Sequence, residues 1–290
     1  MPELPEVEVT RRRLSPFFVG RTIANIATTR PSYFFLTPPK ELQKRLSGRT
    51  VSELQRRGKY LVAQFDDGTQ LLLHLGMTGQ LFTERAKNRR LLYRRNQALA
   101  PDVEQGFKPD VHTHLAFSFT DDGPRVFFRD VRKFGKVRWL PAGASDERLE
   151  KLGTDALVAV GDDLFAATRR RDAAVKSVLL DQSVIAGAGN IYADEALFVA
   201  GVHPKRAASR VSEARCKAIV DALRGILERA IDVGGSSISD FVTPDGEDGG
   251  YQDERKVYDR AGAPCVTCGT PIRRIVLGQR STHYCPKCQT

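Results

Sequence analysis

The chain has 290 residues, and its 45 Lys and Arg exceed its 35 Asp and Glu to give a formal net charge of +10. This length allows two domains, and the ordinary composition excludes a disordered or low-complexity chain. The basic excess favours a polyanionic partner such as nucleic acid, and no apolar run approaches the ~20 residues of a membrane span.

The N-terminal hexapeptide Met1–Glu6 carries the first chemical signal. Removal of Met1 would leave Pro2 with a secondary α-amine, a group that ordinarily loses its proton at about pH 8. Such an amine condenses with an aldehyde carbon to an iminium, an electron sink for bond cleavage at a sugar C1′, and the Glu3 carboxylate follows it at once. The ordinary alternative is that these residues only open a helix, which we predict from Pro5 to about Phe18.

Strand-like stretches with turn residues between them follow the first helix. They are Thr22–Thr29, Val51–Gln55, Tyr60–Phe65, Leu71–Leu75, His114–Thr120 and Arg125–Arg129. The turns at residues 66–68 and 121–124 each predict a hairpin. We therefore predict a β-sandwich with helices at its margins, and we interpret the charged stretch Ala86–Asp110 as a long basic loop.

After a linker at residues 141–145 the pattern becomes helical. Val175, Val178 and Leu179 share one predicted helical face, and further helices are predicted over Ile191–Ala200 and Ser212–Val233. Cys216 falls on the apolar stripe of the last helix, so we expect a buried thiol. The fold class predicted for the whole chain is α+β.

Two CxxC pairs in the tail predict a structural zinc ion. Cys265 and Cys268 are separated by 16 residues from Cys285 and Cys288, which is typical of four-cysteine zinc sites. Four thiolates leave no position for water, so we expect the metal to support folding and not to perform chemistry.

Residues 272–280 alternate apolar and basic side chains, which predicts a hairpin with one basic face that can contact nucleic acid. The alternative for Arg280 is an ordinary solvated surface arginine.

The turn Gly187-Ala188-Gly189-Asn190 precedes a predicted helix and lies downstream of Arg169–Arg171. Small residues let a backbone approach a ligand, Asn190 can cap the helix, and the exposed N–H groups there can bind an anion. By itself this pattern is more often an ordinary corner between helices.

Together these motifs closely resemble, in order and over nearly the whole chain, the bacterial formamidopyrimidine-DNA glycosylase family. The matching segments are Pro2–Glu8, Lys59–Leu61, His74–Gly79, Arg132–Gly135, Gly187–Glu195 and the cysteine tail. The resemblance implies a β-sandwich catalytic domain (1–141), a helix–two-turn–helix DNA-binding domain with a lesion-covering loop (142–260) and a zinc finger (261–290).

The resemblance also implies a bifunctional glycosylase/AP lyase that excises oxidised purines (8-oxoguanine, formamidopyrimidines) from double-stranded DNA and cuts the strand by β,δ-elimination. Pro2 would be the nucleophile that forms a Schiff base at C1′, Glu3 the general acid that assists sugar opening, and Glu6 an orienting group. Lys59 would donate a proton in β-elimination and touch a phosphate. Arg280 would serve in δ-elimination and clamp a phosphate.

Base excision requires the lesion outside the duplex, so other residues must fill the gap. By resemblance Met77, Arg132 and Phe134 enter the duplex, while His112, Arg171 and Asn190 occupy DNA-contact positions. We expect a monomer, no membrane partner and a bacterial cytoplasmic location in association with the nucleoid, because no signal peptide precedes the motifs.

The sequence departs from the family pattern in three places. Val9-Thr10 displaces the usual threonine, the basic stretch is longer, and the expected lesion-covering loop 239–258 is unusually acidic, notably at Asp245 and Asp248. The acidic loop bears on lesion preference. The alternatives are therefore an endonuclease VIII-like glycosylase for oxidised pyrimidines and a catalytically inactive damage-binding protein. Leu4 favours the purine enzyme over the first, and Pro2, Glu3 and Lys59 argue against the second.

Overall fold

The computed structural model describes residues 2–87, 106–169, 171–238 and 241–290. The chain forms two compact units, Met1–Asp146 with Val233–Gly250, and Glu147–Asp232 with Tyr251–Thr290. The segment Val233–Gly250 thus belongs to the first unit, although the sequence groups it with the helical domain. The three-domain division stays a prediction. Residues 88–105, most of the predicted basic loop, lie outside the described residues.

The first unit contains two α-helices and eight strands in its described part. The helices are α1 (Leu4–Leu14), which a 3-10 turn at Ser15–Phe17 continues, and α2 (Pro39–Leu46). The strands are β1 (Ile23–Thr28), β2 (Val51–Arg57), β3 (Tyr60–Phe65), β4 (Gln70–His74), β5 (Gly79–Thr83), β6 (Thr113–Phe119), β7 (Val126–Asp130) and β8 (Lys136–Leu140).

These strands form two four-stranded antiparallel sheets, ordered β1-β6-β7-β5 and β2-β3-β4-β8. Buried apolar side chains from both sheets and both helices make one cluster, which includes Val7, Leu42, Leu73, Phe117 and Phe128. Burial of this shared apolar area is the main term that holds the sandwich together. The predicted β-sandwich is therefore confirmed.

Both predicted hairpins form, since β3 pairs with β4 and β6 pairs with β7. In the described part of the first unit, the sequence did not predict α2, β5 and β8. β5 is buried on both faces and so lacks the alternation that marks a strand. α2 begins at Pro39 after Pro38, and this Pro-Pro pair resembles a loop although proline is well suited to the first helical position.

The second unit is mainly helical and ends in a two-stranded hairpin. Its helices are α3 (Glu147–Glu150), α4 (Gly161–Thr168), α5 (Val175–Leu179), α6 (Asn190–Val199) and α7 (Glu213–Asp232). Its strands are β9 (Thr154–Asp155), β10 (Ile185–Ala186), β11 (Arg273–Leu277) and β12 (Arg280–Tyr284), and short 3-10 turns cover Ala208–Arg210 and Tyr251–Asp253.

The apolar stripe of α7 is buried as predicted, and Cys216 on it has no exposed surface. The predicted face of Val175, Val178 and Leu179 is buried as well. The predicted hairpin between the CxxC pairs forms as β11 and β12, which are antiparallel. Within the described residues, no helix combines the length and the apolar character that crossing a membrane requires.

Candidate active site and nucleic-acid interface

The start of α1 places two buried carboxylates directly after Pro2. Pro2 is buried, and Glu3 and Glu6 each have only 2% of their surface exposed. The Glu3 backbone N–H donates to Glu6 Oε2 at 2.8 Å, and the Glu3 side chain accepts from the Glu6 backbone in return. This reciprocal capping fixes the first helical turn, and the positive end of the helix favours both charges.

The second oxygen of Glu6 reaches the segment Val233–Gly250 of the same unit. The Ser236 backbone N–H donates to Glu6 Oε1 at 2.9 Å. Gly235 adopts φ +84°, and a Cβ there would lie 3.1 Å from Glu6 Oε1. Glycine therefore satisfies both the left-handed backbone and the close approach. Glu6 joins the N-terminal turn to the residues that lead into the predicted lesion-covering loop.

The acids of that segment are partly neutralised by α1. Arg13 contacts Asp245 at 2.6 Å and Glu247 at 3.1 Å. The Pro244 carbonyl accepts the Thr83 N–H at 2.9 Å, which attaches the segment to the end of β5. The unusual acidity near Asp245 therefore faces an arginine of the same unit. Residues 239 and 240 of the predicted loop lie outside the described residues.

Lys59 is half-buried in the two-residue turn between β2 and β3. Gly58 supplies the positive φ of +57° that such a turn requires. One guanidinium N–H of Arg56 donates a hydrogen bond to the Gly58 carbonyl at 3.0 Å, and another donates to Glu8 Oε2 at 3.1 Å. Glu8 lies on α1, so one ion pair connects the helix that starts after Pro2 to the turn that presents Lys59.

Glu8 stays ionised in this cluster. Burial raises the pKa of Glu8, but hydrogen bonds from Arg11 and Arg12 and the charges of Arg11 and Arg56 outweigh burial and hold the pKa at about 2. Arg11 and Arg12 each donate to Glu8 Oε1 at 2.8 Å. Because the carboxylate and Arg56 have side chains less than a tenth exposed, the pair is little screened by solvent.

The three side chains expected to enter the duplex project from two loops of the sandwich. Met77 lies between β4 and β5 and is 39% exposed; Arg132 and Phe134 lie between β7 and β8, and Phe134 is 41% exposed. The Arg132 guanidinium carbon lies 4.6 Å from the centre of the Phe134 ring. The Tyr33 hydroxyl donates to the Arg132 carbonyl at 2.8 Å. Exposed apolar side chains at loop tips are the kind that penetrate a base stack.

His112 is half-buried just before β6. Its backbone N–H donates to Asp110 Oδ1 at 3.0 Å, and its carbonyl accepts the Asp130 N–H at 2.9 Å. Asp110 pairs in turn with Arg129 at 2.9 Å. His112 is therefore held beside the end of β7, next to the loop that carries Arg132.

In the second unit, Asn190 is the first residue of α6, and Gly189 before it is the N-cap. The expectation that Asn190 caps the helix with its side chain is wrong. Its amide Nδ2 instead donates to the Ser281 carbonyl of β12 at 2.9 Å. The buried Asn190 Oδ1 has no hydrogen-bond partner within the described residues, so a donor from outside the protein could pair with it.

Arg171 is exposed and pairs with Asp181 at 2.8 Å. Hydrogen bonds from Ser183 and Arg171, opposed by burial, lower the pKa of Asp181. The guanidinium therefore has one carboxylate contact and remains at the surface. Residue 170 of the predicted arginine cluster lies outside the described residues.

The four cysteines Cys265, Cys268, Cys285 and Cys288 converge on one point. Their sulfur atoms all lie within 4.8 Å of one another, with Cys265 3.9 Å from Cys288 and Cys268 3.5 Å from Cys285. A tetrahedron of ~2.3 Å Zn–S bonds has edges of about 3.8 Å, so these residues fit a zinc ion. Four thiolates close the coordination shell and leave the metal a structural role.

Arg280 opens β12 at the tip of the zinc hairpin and is exposed. It faces Leu277 across a tight turn in which Gly278 and Gln279 both have positive φ. The side chains of Arg273 and Arg274 are exposed on the same hairpin. The predicted basic hairpin is therefore present, with Arg280 at its end.

A buried ion pair that the sequence does not reveal lies beneath this hairpin. Lys176 on α5 lies 2.6 Å from Asp194 on α6, and both are 1% exposed. Lys176 Nζ also donates to Thr282 Oγ1 at 2.8 Å, and Asp194 Oδ2 accepts the His283 N–H at 2.8 Å. The apolar neighbours of Lys176 in the sequence are the one signal that could have indicated its burial.

Glu195 was missed for a similar reason. Its carboxylate is 1% exposed and accepts the backbone N–H groups of Lys256, Val257 and Tyr258 at 2.8–2.9 Å. Burial and the nearby Asp194 charge raise the pKa of Glu195, and the three backbone donors oppose that rise. Glu195 thereby anchors the chain that leads into the zinc finger.

Comparison with known proteins identifies the family. Family models described as the formamidopyrimidine-DNA glycosylase N-terminal domain, its H2TH domain, and the zinc finger found in FPG and IleRS match residues 1–137, 152–242 and 262–290. The formamidopyrimidine-DNA glycosylase of Cupriavidus pinatubonensis is 44% identical over 303 residues, which cover all of both chains. The chain belongs to the formamidopyrimidine-DNA glycosylase family. Membership confirms the predicted class, a bifunctional DNA glycosylase/AP lyase with a structural zinc finger.

Solved structures of formamidopyrimidine-DNA glycosylases share the whole fold. The MutM (Fpg) protein from Thermus thermophilus is 36% identical with a TM-score of 0.83, covering 99% of this chain and 98% of that one. A Lactococcus lactis Fpg mutant in complex with a Fapy-dG containing DNA is 32% identical with a TM-score of 0.84, covering 99% of both. The predicted combination of β-sandwich, helix–two-turn–helix and zinc hairpin is thereby confirmed.

Proposed function

We propose that this chain removes oxidised purines, namely 8-oxoguanine and formamidopyrimidines, from double-stranded DNA during base excision repair, and cuts the strand by β,δ-elimination. The observation that carries the proposal is the start of α1, where Pro2 stands next to the two buried carboxylates of Glu3 and Glu6. A secondary amine beside a fixed carboxyl group is the pair that imine chemistry at C1′ needs.

In the first stage the neutral Pro2 nitrogen attacks C1′ and the bond from C1′ to the damaged base breaks. The base leaves with the bonding electrons and takes up the proton that the Pro2 nitrogen loses. Glu3 then gives a proton to the ring oxygen as the C1′–O4′ bond opens. The nitrogen lone pair forms the iminium. This step requires an N-terminal Pro2, so removal of Met1 is part of the proposal. Glu6 orients the turn through its bond to the Glu3 N–H.

In the second stage a proton leaves C2′ and the iminium accepts the C–H electrons to form an enamine, which expels the 3′-phosphate as the C3′–O bond breaks. A second elimination removes a proton from C4′ and expels the 5′-phosphate as the C5′–O bond breaks. We assign Lys59 as a proton donor in the first elimination and as a phosphate contact, and Arg280 to the second elimination and to another phosphate. The Arg56 contact with Gly58 supports the Lys59 turn, and Arg280 is exposed at the hairpin tip.

DNA handling is assigned to two sets of residues. Met77 and Phe134 wedge into the stack, and Arg132 hydrogen-bonds the base left without a partner. His112, Arg171 and Asn190 hold the sugar–phosphate backbone. The exposure of Met77 and Phe134 supports the first assignment, and the exposure of Arg171 supports the second. We further assign the enzyme to the bacterial cytoplasm, at the nucleoid, as a monomer.

The test is borohydride trapping on a duplex with one 8-oxoguanine opposite cytosine. The mature protein should form a covalent adduct, and a form that retains Met1, in which the Pro2 nitrogen is an amide, should form none. The same assay on a thymine-glycol duplex separates purine from pyrimidine preference.

Two results would contradict the proposal. A mature protein that binds the duplex without forming an adduct would indicate an inactive damage-binding protein. A faster reaction with thymine glycol than with 8-oxoguanine would instead assign the endonuclease VIII-like specificity.

A further inference from the structure

Asp130, the last residue of β7, has no exposed surface, and its carboxylate is the meeting point of two loops. Oδ1 accepts the Thr78 hydroxyl at 2.6 Å and the Arg132 N–H at 3.2 Å, and Oδ2 accepts the Gly135 N–H at 2.7 Å. The Arg132 N–H is shared with Thr78 Oγ1 at 3.1 Å. Thr78 belongs to the Met77 loop, and the other two donors belong to the Arg132–Phe134 loop.

The two loops also touch backbone to backbone beside this carboxylate. Gly76 has φ +64°, and a Cβ there would lie 2.5 Å from the Gly135 nitrogen. A Cβ on Gly135 would lie 3.0 Å from Asp130 Oδ2. Lys133, between the wedge residues Arg132 and Phe134, adopts a left-handed φ of 58°, which is unfavourable for a residue with a side chain. The hydrogen bonds to Asp130 compensate for this backbone strain.

We propose that Asp130 is a positioning residue that joins the Met77 loop and the Arg132–Phe134 loop into one rigid wedge. The inference rests on the proposed roles of Met77, Arg132 and Phe134. A carboxylate accepts several hydrogen bonds and donates none, so it can hold three donors from two loops at once. Asparagine keeps the shape but replaces one acceptor with a donor. One of the two loops then loses its hydrogen bond to residue 130, and the new NH₂ group faces another donor in a buried position.

Loss of the Asp130 hydrogen bonds should affect the opening of the duplex and not the chemistry at C1′. A base that is still stacked and paired must be unstacked before it reaches the pocket, and this step costs free energy. An abasic site has no base to extract. A loosened wedge therefore slows excision of 8-oxoguanine far more than cleavage at an abasic site. A loss of folded protein alone would reduce both rates equally.

The experiment compares two duplexes under single-turnover conditions, one with 8-oxoguanine opposite cytosine and one with an abasic site. For Asp130→Asn we expect excision to slow by about tenfold or more, with abasic-site cleavage kept within about threefold. Thr78→Val removes the hydroxyl donor and should show the same split to a smaller degree. Thr78→Ser keeps the hydroxyl and should restore wild-type rates.

Asp146→Asn is the matched control, because Asp146 is also a buried carboxylate of this unit and accepts Arg138 at 2.9 Å. It should change both rates by one common factor. Equal loss of both rates in Asp130→Asn and in Thr78→Val would overturn the positioning role, as would an unchanged excision rate. If Asp130→Asn fails to fold, the Thr78 pair decides alone. Trapping of the wild type at the abasic site tests the proposed function separately.

Discussion

Glu8 illustrates how one side chain of α1 can serve the proposed chemistry without touching substrate. It lies on the helix that follows Pro2, and it holds Arg56, which in turn holds the Gly58 carbonyl of the Lys59 turn. The helix that follows Pro2 and the turn that contains Lys59 are thereby fixed to one another. A charge network of this kind depends on a carboxylate that stays ionised.

The pKa of Glu8 predicts a pH-dependent contribution to stability. The pKa is about 2 in the folded protein against an ordinary value of 4.5, so folding favours the ionised form. The stabilisation is fully present above about pH 4.5 and is lost as the pH falls toward 2. We expect Glu8→Gln to lower the free energy of unfolding by about 1–2 kcal/mol at pH 7, since solvent screens part of the cluster.

Urea unfolding of the wild type and Glu8→Gln at pH 7, 5 and 3 measures this difference, which should shrink at the lowest pH. Glu41→Gln is the control, because Glu41 forms an exposed ion pair with Arg45 on α2 and such pairs contribute little. A Glu8→Gln effect that equals the Glu41→Gln effect at pH 7 would show that the cluster is not stabilising.

Residues whose chemistry depends on local sequence could be predicted, and residues defined by tertiary contacts could not. The zinc site was predicted from the short pattern of its four cysteines, and the catalytic roles of Pro2 and Glu3 stay predictions from an equally short pattern. Asp130 and Lys176 look like surface residues until the strands and helices around them are assembled. Asn190 lies between these cases, because its place at the start of a helix was predicted but its bond to Ser281 was not.

At the scale of the element, the zinc hairpin has little apolar core of its own. The buried cluster around the metal contains Phe198, Val257, Ile272, Cys265 and Cys285, with the other two cysteines packed against it. A unit this small depends on its metal for its fold. The hairpin strands and the Arg280 position should therefore be lost together with the ion.

Zinc removal should abolish tight DNA binding while Pro2 and Glu3 stay intact. Chelation should raise the Kd for a damaged duplex by about 100-fold or more, because the basic hairpin unfolds. Fluorescence anisotropy measures the Kd, and added zinc should restore it where added magnesium does not. Tight binding that persists after quantitative removal of zinc would refute the assigned role of the finger.

Prediction of whole elements succeeded where the apolar pattern followed the period of the element. Tyr60–Phe65 was predicted with both of its boundaries, and both hairpin turns were predicted from their Asp-Gly sequences. β5 was not predicted because both of its faces are buried, which removes the alternation of apolar and polar residues. Its register is set by its pairing with β7 and not by its own sequence. β8 was missed because it has only five residues and Leu140 breaks the alternation of its first four residues.

At the scale of the molecule, the net charge of +10 makes electrostatic binding to DNA the dominant expectation. Each phosphate contact releases counterions, so the logarithm of the Kd should rise steeply and linearly with the logarithm of the salt concentration. Loss of one such contact should reduce that slope by about 1. The two units contribute different candidate contacts, which can be tested one at a time.

We expect Arg171→Ala and Arg280→Ala each to weaken binding and to reduce the salt slope by about 1. Lys40→Ala removes an exposed charge from α2 to which no DNA contact is assigned, and its slope should match the wild type. Titrations between about 50 and 200 mM salt measure the slopes. If the salt slopes of all three variants are equal, Arg171 and Arg280 make no specific phosphate contact and act only through the net positive charge of the protein.

The distribution of sulfur has a practical consequence. Of the five cysteines, four converge on the zinc position and Cys216 is fully buried in α7, where burial raises the pKa of its thiol. The zinc-loaded protein therefore presents no reactive thiol to a colourimetric thiol reagent, whereas the zinc-depleted protein presents four. A single absorbance reading can thus count the metal occupancy of a preparation before any repair assay begins.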